Sequence, residues 1–78
     1  MIGFDRITFD SQIMGGRACV RGMRVPVSLI LNLVANGMST EEIIHTYPYI
    51  EHADIRQALH YATWLAEDEL YPIEIETA

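Results

Sequence analysis

The sequence predicts a mainly α fold, a core of three helices behind a short N-terminal β ribbon, and three observations carry that prediction. Residues 26–36, PVSLILNLVAN, form an apolar run that proline opens and Gly37 follows. Residues 39–42, Ser-Thr-Glu-Glu, have the spacing of a helix capping box. Between Ile55 and Ala66, apolar residues recur three and four apart, the period of one helix face.

The elements follow in chain order. Residues 6–10, Arg-Ile-Thr-Phe-Asp, alternate with Ile7 and Phe9 on one side and predict a short strand. Gly15 and Gly16 mark a turn. Residues 18–21, Ala-Cys-Val-Arg, predict a second short strand, and Gly22 permits a tight bend after it. Two such strands make a ribbon, within one chain or between two. Pro26 suits the first turn of a helix, where its missing N–H costs nothing, and Gly37 suits the left-handed position beyond the last turn. On this first helix Ser28, Asn32 and Asn36 form one narrow polar stripe and every other face is apolar. Such a helix is expected to be buried almost all round. A monomer of this size buries only about 60–65% of its unfolded surface, so the helix predicts a homodimer, with Leu29 and Leu33 among the contacts.

Residues 40–47 predict a short helix with Ile43, Ile44 and Tyr47 inward, ended by Pro48, which disfavours helix at the residue before it. Residues 52–68 predict a longer helix whose core face is Ile55, Ala58, Leu59, Ala62, Leu65 and Ala66. Its acidic end, residues 67–69, opposes the helix dipole and predicts fraying. The whole reads as a single domain over 1–78: ribbon and loop over 1–25, helical core over 26–68, acidic tail over 69–78.

Charge is uneven. The chain carries a net −6. Residues 1–38 set four arginines against two aspartates, a net of +2, while residues 39–78 set Arg56 against nine acids, a net of −8. An acidic chain repels a polyanion, which counts against strong non-specific nucleic-acid binding. No apolar run of membrane-spanning length occurs, and the first ten residues have acids and no apolar stretch, unlike a signal peptide. A single cysteine makes no internal disulfide, which predicts a reducing cytoplasm.

The short capped helix, the turn and the longer helix give a helix-turn-helix outline, of homeodomain-like or winged-helix-like type. If the second helix of that pair reads DNA, its outward N-terminal residues are His52, Arg56, Gln57 and His60; Glu51 and Asp54 flank them and repel phosphate. The Gly-Gly-Arg loop lacks the lysine and the spacing of a phosphate-binding loop. Its arginines, Arg17, Arg21 and Arg24, suit carboxylate or phosphate partners, and the acidic half of a second subunit is one candidate; a solvated loop is the other. Cys19 in a strand reads as a small buried hydrophobe. The three histidines lie seven and eight residues apart, without metal-site spacing. No catalytic, cofactor or metal site is expected, and the chain is expected not to be an enzyme.

Two stretches, ITFDSQIMGGRACVRGMRVPV and GMSTEEIIHTYPYIEHADIRQALHYA, together resemble the family called domain of unknown function 433. Gly16, Arg17, Gly22, Arg24, Pro26 and Val27 match its first motif. Gly37, Ser39, Glu42, Ile43, Tyr47, Pro48, Asp54, Ile55, Ala58, Leu59, Tyr61 and Ala62 match its second. The resemblance implies small prokaryotic proteins of helix-turn-helix outline, similar to antitoxins encoded beside PIN-like ribonuclease toxins. It implies a toxin as protein partner and no catalytic residue. The tail EDELYPIEIETA has no basic group for a toxin's carboxylate-rich site, so contact through Tyr71, Ile73 and Ile75, or through the arginine loop, is the expectation.

Overall fold

The computed structural model describes residues 3–70, with side chains through Glu67. Strand β1 (Ile7–Thr8) pairs antiparallel with β2 (Cys19–Val20), Ile7 opposite Val20 and Thr8 opposite Cys19. Three helices follow: α1 (Val27–Ala35), α2 (Thr40–Thr46) and α3 (His52–Leu70). The mainly α architecture with a two-stranded N-terminal ribbon is as the sequence predicts, and the ribbon is made within one chain. Both strands are shorter than predicted. Because β1 stops at Thr8, Phe9 escapes the alternation that buries Ile7 and is 49% exposed.

Between the strands the chain makes a 3₁₀ turn at Met14–Gly16, where both glycines have positive φ. After β2 it reverses through Arg21 (φ 45°) and Gly22 (φ 73°), closed by Met23 N–H to Val20 O at 2.8 Å. Two central residues with positive φ are the signature of a type I′ turn. A Cβ at Gly22 would meet nothing within 4 Å, so only the backbone resists a side chain there. Gly22→Ala is therefore expected to cost about 1–2 kcal/mol, lowering the melting temperature by about 4–8 °C per kcal/mol for a domain of this size. An unchanged melting curve would show that the turn readily adopts another form.

Three helix ends have a plain chemical cause. Pro26 is the N-cap of α1, so the helix starts at Val27, one residue later than predicted. Past α1, Gly37 at φ 93° lets its N–H reach Val34 O (3.0 Å) and the Met38 N–H reach Leu33 O (3.1 Å), the paired bonds of a Schellman motif. The capping box of α2 is complete: Ser39 Oγ accepts from the Glu42 N–H (3.1 Å) and Glu42 Oε1 accepts from the Ser39 N–H (2.8 Å). Helix α3 runs two residues beyond the predicted 68.

The core is built almost entirely of β-branched residues: Ile7, Val20, Val25, Val27, Ile30, Ile43, Ile50 and Ile55, with Ala58 and Cys19. Every element contributes at least one. In α1 the single chain fully buries Val27 and Ile30 and half-buries Leu29, Leu31, Leu33 and Val34, leaving only Ser28, Asn32 and Ala35 exposed. One copy thus covers more of this helix than the sequence reading allowed.

The predicted core face of α3 needs correction in its second half. Ile55 and Ala58 are buried and Ala62 half-buried, but Leu59 (40%), Leu65 (43%) and Ala66 are exposed. The reason is length. Nineteen residues span about 28 Å and the nine of α1 about 13 Å, so α3 overhangs the globule that covers its first half. Leu59 also sits on the edge of the stripe. No described helix is long and apolar enough to cross a membrane.

Candidate functional site

Two constellations stand out, one polar and one aromatic. The polar one centres on Asp54, whose side chain is 0% exposed. Arg21 grips it with both edges of its fork, Nε to Oδ1 at 3.0 Å and Nη2 to Oδ2 at 2.9 Å. Arg6 Nη1 donates to Asp54 Oδ1 at 2.9 Å and to Glu51 Oε1 at 2.8 Å. The Glu51 backbone N–H donates to Asp54 Oδ2 at 2.9 Å, the acidic half of a capping box at the start of α3. Arg21 Nη2 also donates to Tyr49 O at 2.7 Å. These bonds hold Arg21 in a left-handed conformation that L residues disfavour. One carboxylate therefore ties the ribbon, the 49–51 turn and α3 together.

The electrostatics follow from the geometry. Burial pushes the Asp54 carboxyl up. The hydrogen bonds from Arg21, the Glu51 N–H and Arg6, with the Arg21 charge, outweigh that and hold it below its ordinary range. Hydrogen bonds to Glu51 and Asp54 push the Arg6 guanidinium up, and the bond to Asp54 does the same for Arg21. All three stay charged around neutral pH. Beside them Gln57 Oε1 accepts from the Arg6 N–H (2.7 Å) and its Nε2 donates to Asp5 Oδ1 (2.9 Å).

This arrangement redistributes the residues singled out from sequence. Arg21 reaches an acidic group, but that of its own chain. Gln57 is bound to the segment before β1, so its amide is occupied. His52, Arg56 and His60 are all exposed on one stripe of α3, and Arg17 and Arg24 are exposed on the loop side. Cys19 is a free, buried thiol, 1% exposed. Leu29 and Leu33 are half-buried; Tyr71, Ile73 and Ile75 lie outside the described residues. The described residues hold no group of three or more His, Cys, Asp or Glu that fits a metal ion.

The aromatic constellation was not foreseen as a unit. Phe4 meets Tyr61 edge-on at 5.5 Å and Trp64 at 6.0 Å; Phe9 lies 6.3 Å from Tyr61, and Tyr61 stacks 6.2 Å from Trp64. Trp64 is 50% exposed. Next to this run lies a shallow groove of about 210 Å³ edged by Arg17, Leu31, Tyr61 and Leu65. Tyr61 and Trp64 lie three residues apart on α3, but Phe4 precedes the first strand and belongs to no periodic run. Nothing local signals that it turns onto α3.

Residues 7–62 match the model of a family described as a protein of unknown function, DUF433. The chain belongs to the DUF433 family. The match takes in both strands, α1, α2, Arg21, Asp54 and Gln57, and ends before Trp64 and Leu65. The uncharacterized protein y4eO of Sinorhizobium fredii is 39% identical to this chain over 56 residues, which make up 72% of this chain and 25% of that protein. The crystal structure of a DUF433 member from Anabaena variabilis superposes with a TM-score of 0.72 at 27% identity, covering 81% of this chain and 62% of that one. The chain thus spans a quarter of the first protein and under two thirds of the second.

Proposed function

We propose that this DUF433 chain is a non-enzymatic binding protein of the cytoplasm, the antitoxin-like partner of a PIN-like ribonuclease. The observation that carries a protein-binding role is the aromatic run Phe4–Tyr61–Trp64 with Phe9 and Leu65, left half-open on an overhanging helix. Exposed aromatic clusters of this kind mark protein contacts. The ribonuclease as partner rests on the family resemblance. The test is co-expression with a small PIN-like nuclease encoded beside the gene. Rescue of growth and a co-purifying complex are expected; no such neighbour, or a nuclease left free and toxic, overturns the reading. A homodimer belongs to the same proposal, through the half-buried Leu29–Leu33 flank of α1.

A second reading, DNA binding through α3, is favoured by one observation. The acids that the sequence sets beside its outward residues are answered internally: Arg6 and Arg21 neutralise Glu51 and Asp54. His52, Arg56 and His60 then face solvent beside a locally neutral cluster, although the chain's net charge still opposes phosphate. A shift assay on the gene's own upstream region at about 0.15 M salt, where charges more than about 8 Å apart are screened, decides it. Binding that Arg56→Ala weakens supports the reading, and no binding removes it.

A further inference from the structure

We propose that the aromatic face of α3 receives a cationic amphipathic helix of a partner protein. This deepens the protein-binding reading and rests on it. The face has an apolar middle and acidic ends. Asp5, exposed and held to Gln57, lies one helical turn before Tyr61, and Phe4 adjoins it. Glu67, also exposed, lies past the other end, turned about 60° around the helix from Trp64 on the side away from Leu65. From Gln57 to Glu67 is about 15 Å along the helix, enough for three turns of a partner. Between the ends lie Tyr61, Trp64 and Leu65, with the Phe4 ring set edge-on to Tyr61 and tilted against Trp64.

The occupant follows from charge. Residues 59–70 contain three acids and neither lysine nor arginine. A second copy seated here sets its own Glu67 against the same seam, with Arg17 at the groove edge as the cation at hand. A helix with Lys or Arg flanking leucine-like residues answers both ends and fills the middle. Its cations also meet the half-exposed Trp64 ring, which attracts them. The net −6 of the whole chain steers such a partner inward.

The chain has a single tryptophan, so Trp64 fluorescence reports on this face alone. The probe is a synthetic amphipathic peptide of about 18 residues, long enough to form helix on binding, built from leucine and lysine, with a glutamate-for-lysine control. A saturable blue shift is expected with the lysine peptide and none with the control. Leu65→Glu adds negative charge, so diffuse attraction predicts tighter binding; seating on this face predicts a loss of about tenfold or more. Glu67→Lys is expected to weaken binding as well, and circular dichroism confirms that both exposed-site variants fold. Unchanged or tighter binding by Leu65→Glu overturns the proposal. So does a wild-type dimer that Leu65→Glu dissociates, which makes a second copy the occupant. Capture of the neighbouring nuclease by wild type and Leu65→Glu alike moves the partner to another face and overturns the proposal while sparing the binding reading. Failure of both to capture it, with the peptide result intact, overturns the ribonuclease partner alone.

Discussion

Asp54→Ala is expected to destabilise the fold by about 3–5 kcal/mol, the cost of removing one member of a buried ion pair. Alanine leaves the Arg21 fork and one Arg6 nitrogen facing each other across an emptied site, and orphans the Glu51 N–H that starts α3. The loss is large against the whole. At roughly 0.05–0.15 kcal/mol per residue, a chain this short has few such increments to lose. Asp54→Asn keeps the volume and one acceptor oxygen and removes the charge, so a smaller loss of about 1–3 kcal/mol is expected. Urea denaturation of the three proteins checks the order. A loss under about 1 kcal/mol for alanine, the net worth of an ordinary hydrogen bond, would falsify the view that this carboxylate joins ribbon and helix.

The same group dictates a pH dependence. Its folded value lies below the ordinary 3.8 because the hydrogen bonds of Arg21, the Glu51 N–H and Arg6 outweigh the effect of burial. A carboxyl with a depressed folded value contributes its full stability above the unfolded value and loses it as pH falls through the folded one. Wild-type stability is thus expected to hold from neutrality to about pH 4 and to fall below it, near the unfolded carboxyl value. The difference between wild type and Asp54→Asn should shrink over that same acid range, and a difference independent of pH contradicts the linkage. The arginines, pushed upward, stay charged throughout and add no dependence of their own.

How much of this was legible in the sequence depends on the range of each contact. The capping box at Ser39 and Glu42, the stop before Pro48, the Gly37 terminus and the Gly22 turn are set by neighbours a few residues apart, and the sequence shows all of them. Asp54 looked like a charge that would repel phosphate, because its partners Arg21 and Arg6 lie 33 and 48 residues away. No local pattern records such a pairing, nor the one that binds Gln57 to Asp5. The apolar stripe of α3 was legible as a stripe. Where its cover ends was not, since that depends on the length of α1 beneath it. Leu65 therefore reads as core but is 43% exposed, and the candidate interface depends on Phe4 and Phe9, which the fold places against Tyr61, Phe4 also against Trp64.

Ile30→Ala is expected to cost about 2–5 kcal/mol, the range for truncating a large aliphatic side chain in a core. Ile30 is 0% exposed, on the helix that packs against α3. Val27, Ile43 and Ile55 of the same core cluster are β-branched and stiff, so the core collapses poorly into the space Ile30 leaves. Leu29 and Leu33 supply the contrast. In a single chain they are half-buried flanks, and truncating either should cost clearly less than Ile30→Ala. If a second copy covers them, the two costs converge, and the melting temperature rises with protein concentration as mass action requires. Thermal melts of the wild type, Ile30→Ala and Leu33→Ala across a hundredfold concentration range, the wild type alone setting the baseline, separate the cases. A concentration-dependent wild type with an expensive Leu33→Ala places the twin on α1 and leaves the aromatic face of α3 to a different protein. A concentration-independent wild type means that one chain closes its own core, which removes the homodimer and leaves that exposed face as the surface through which this protein binds.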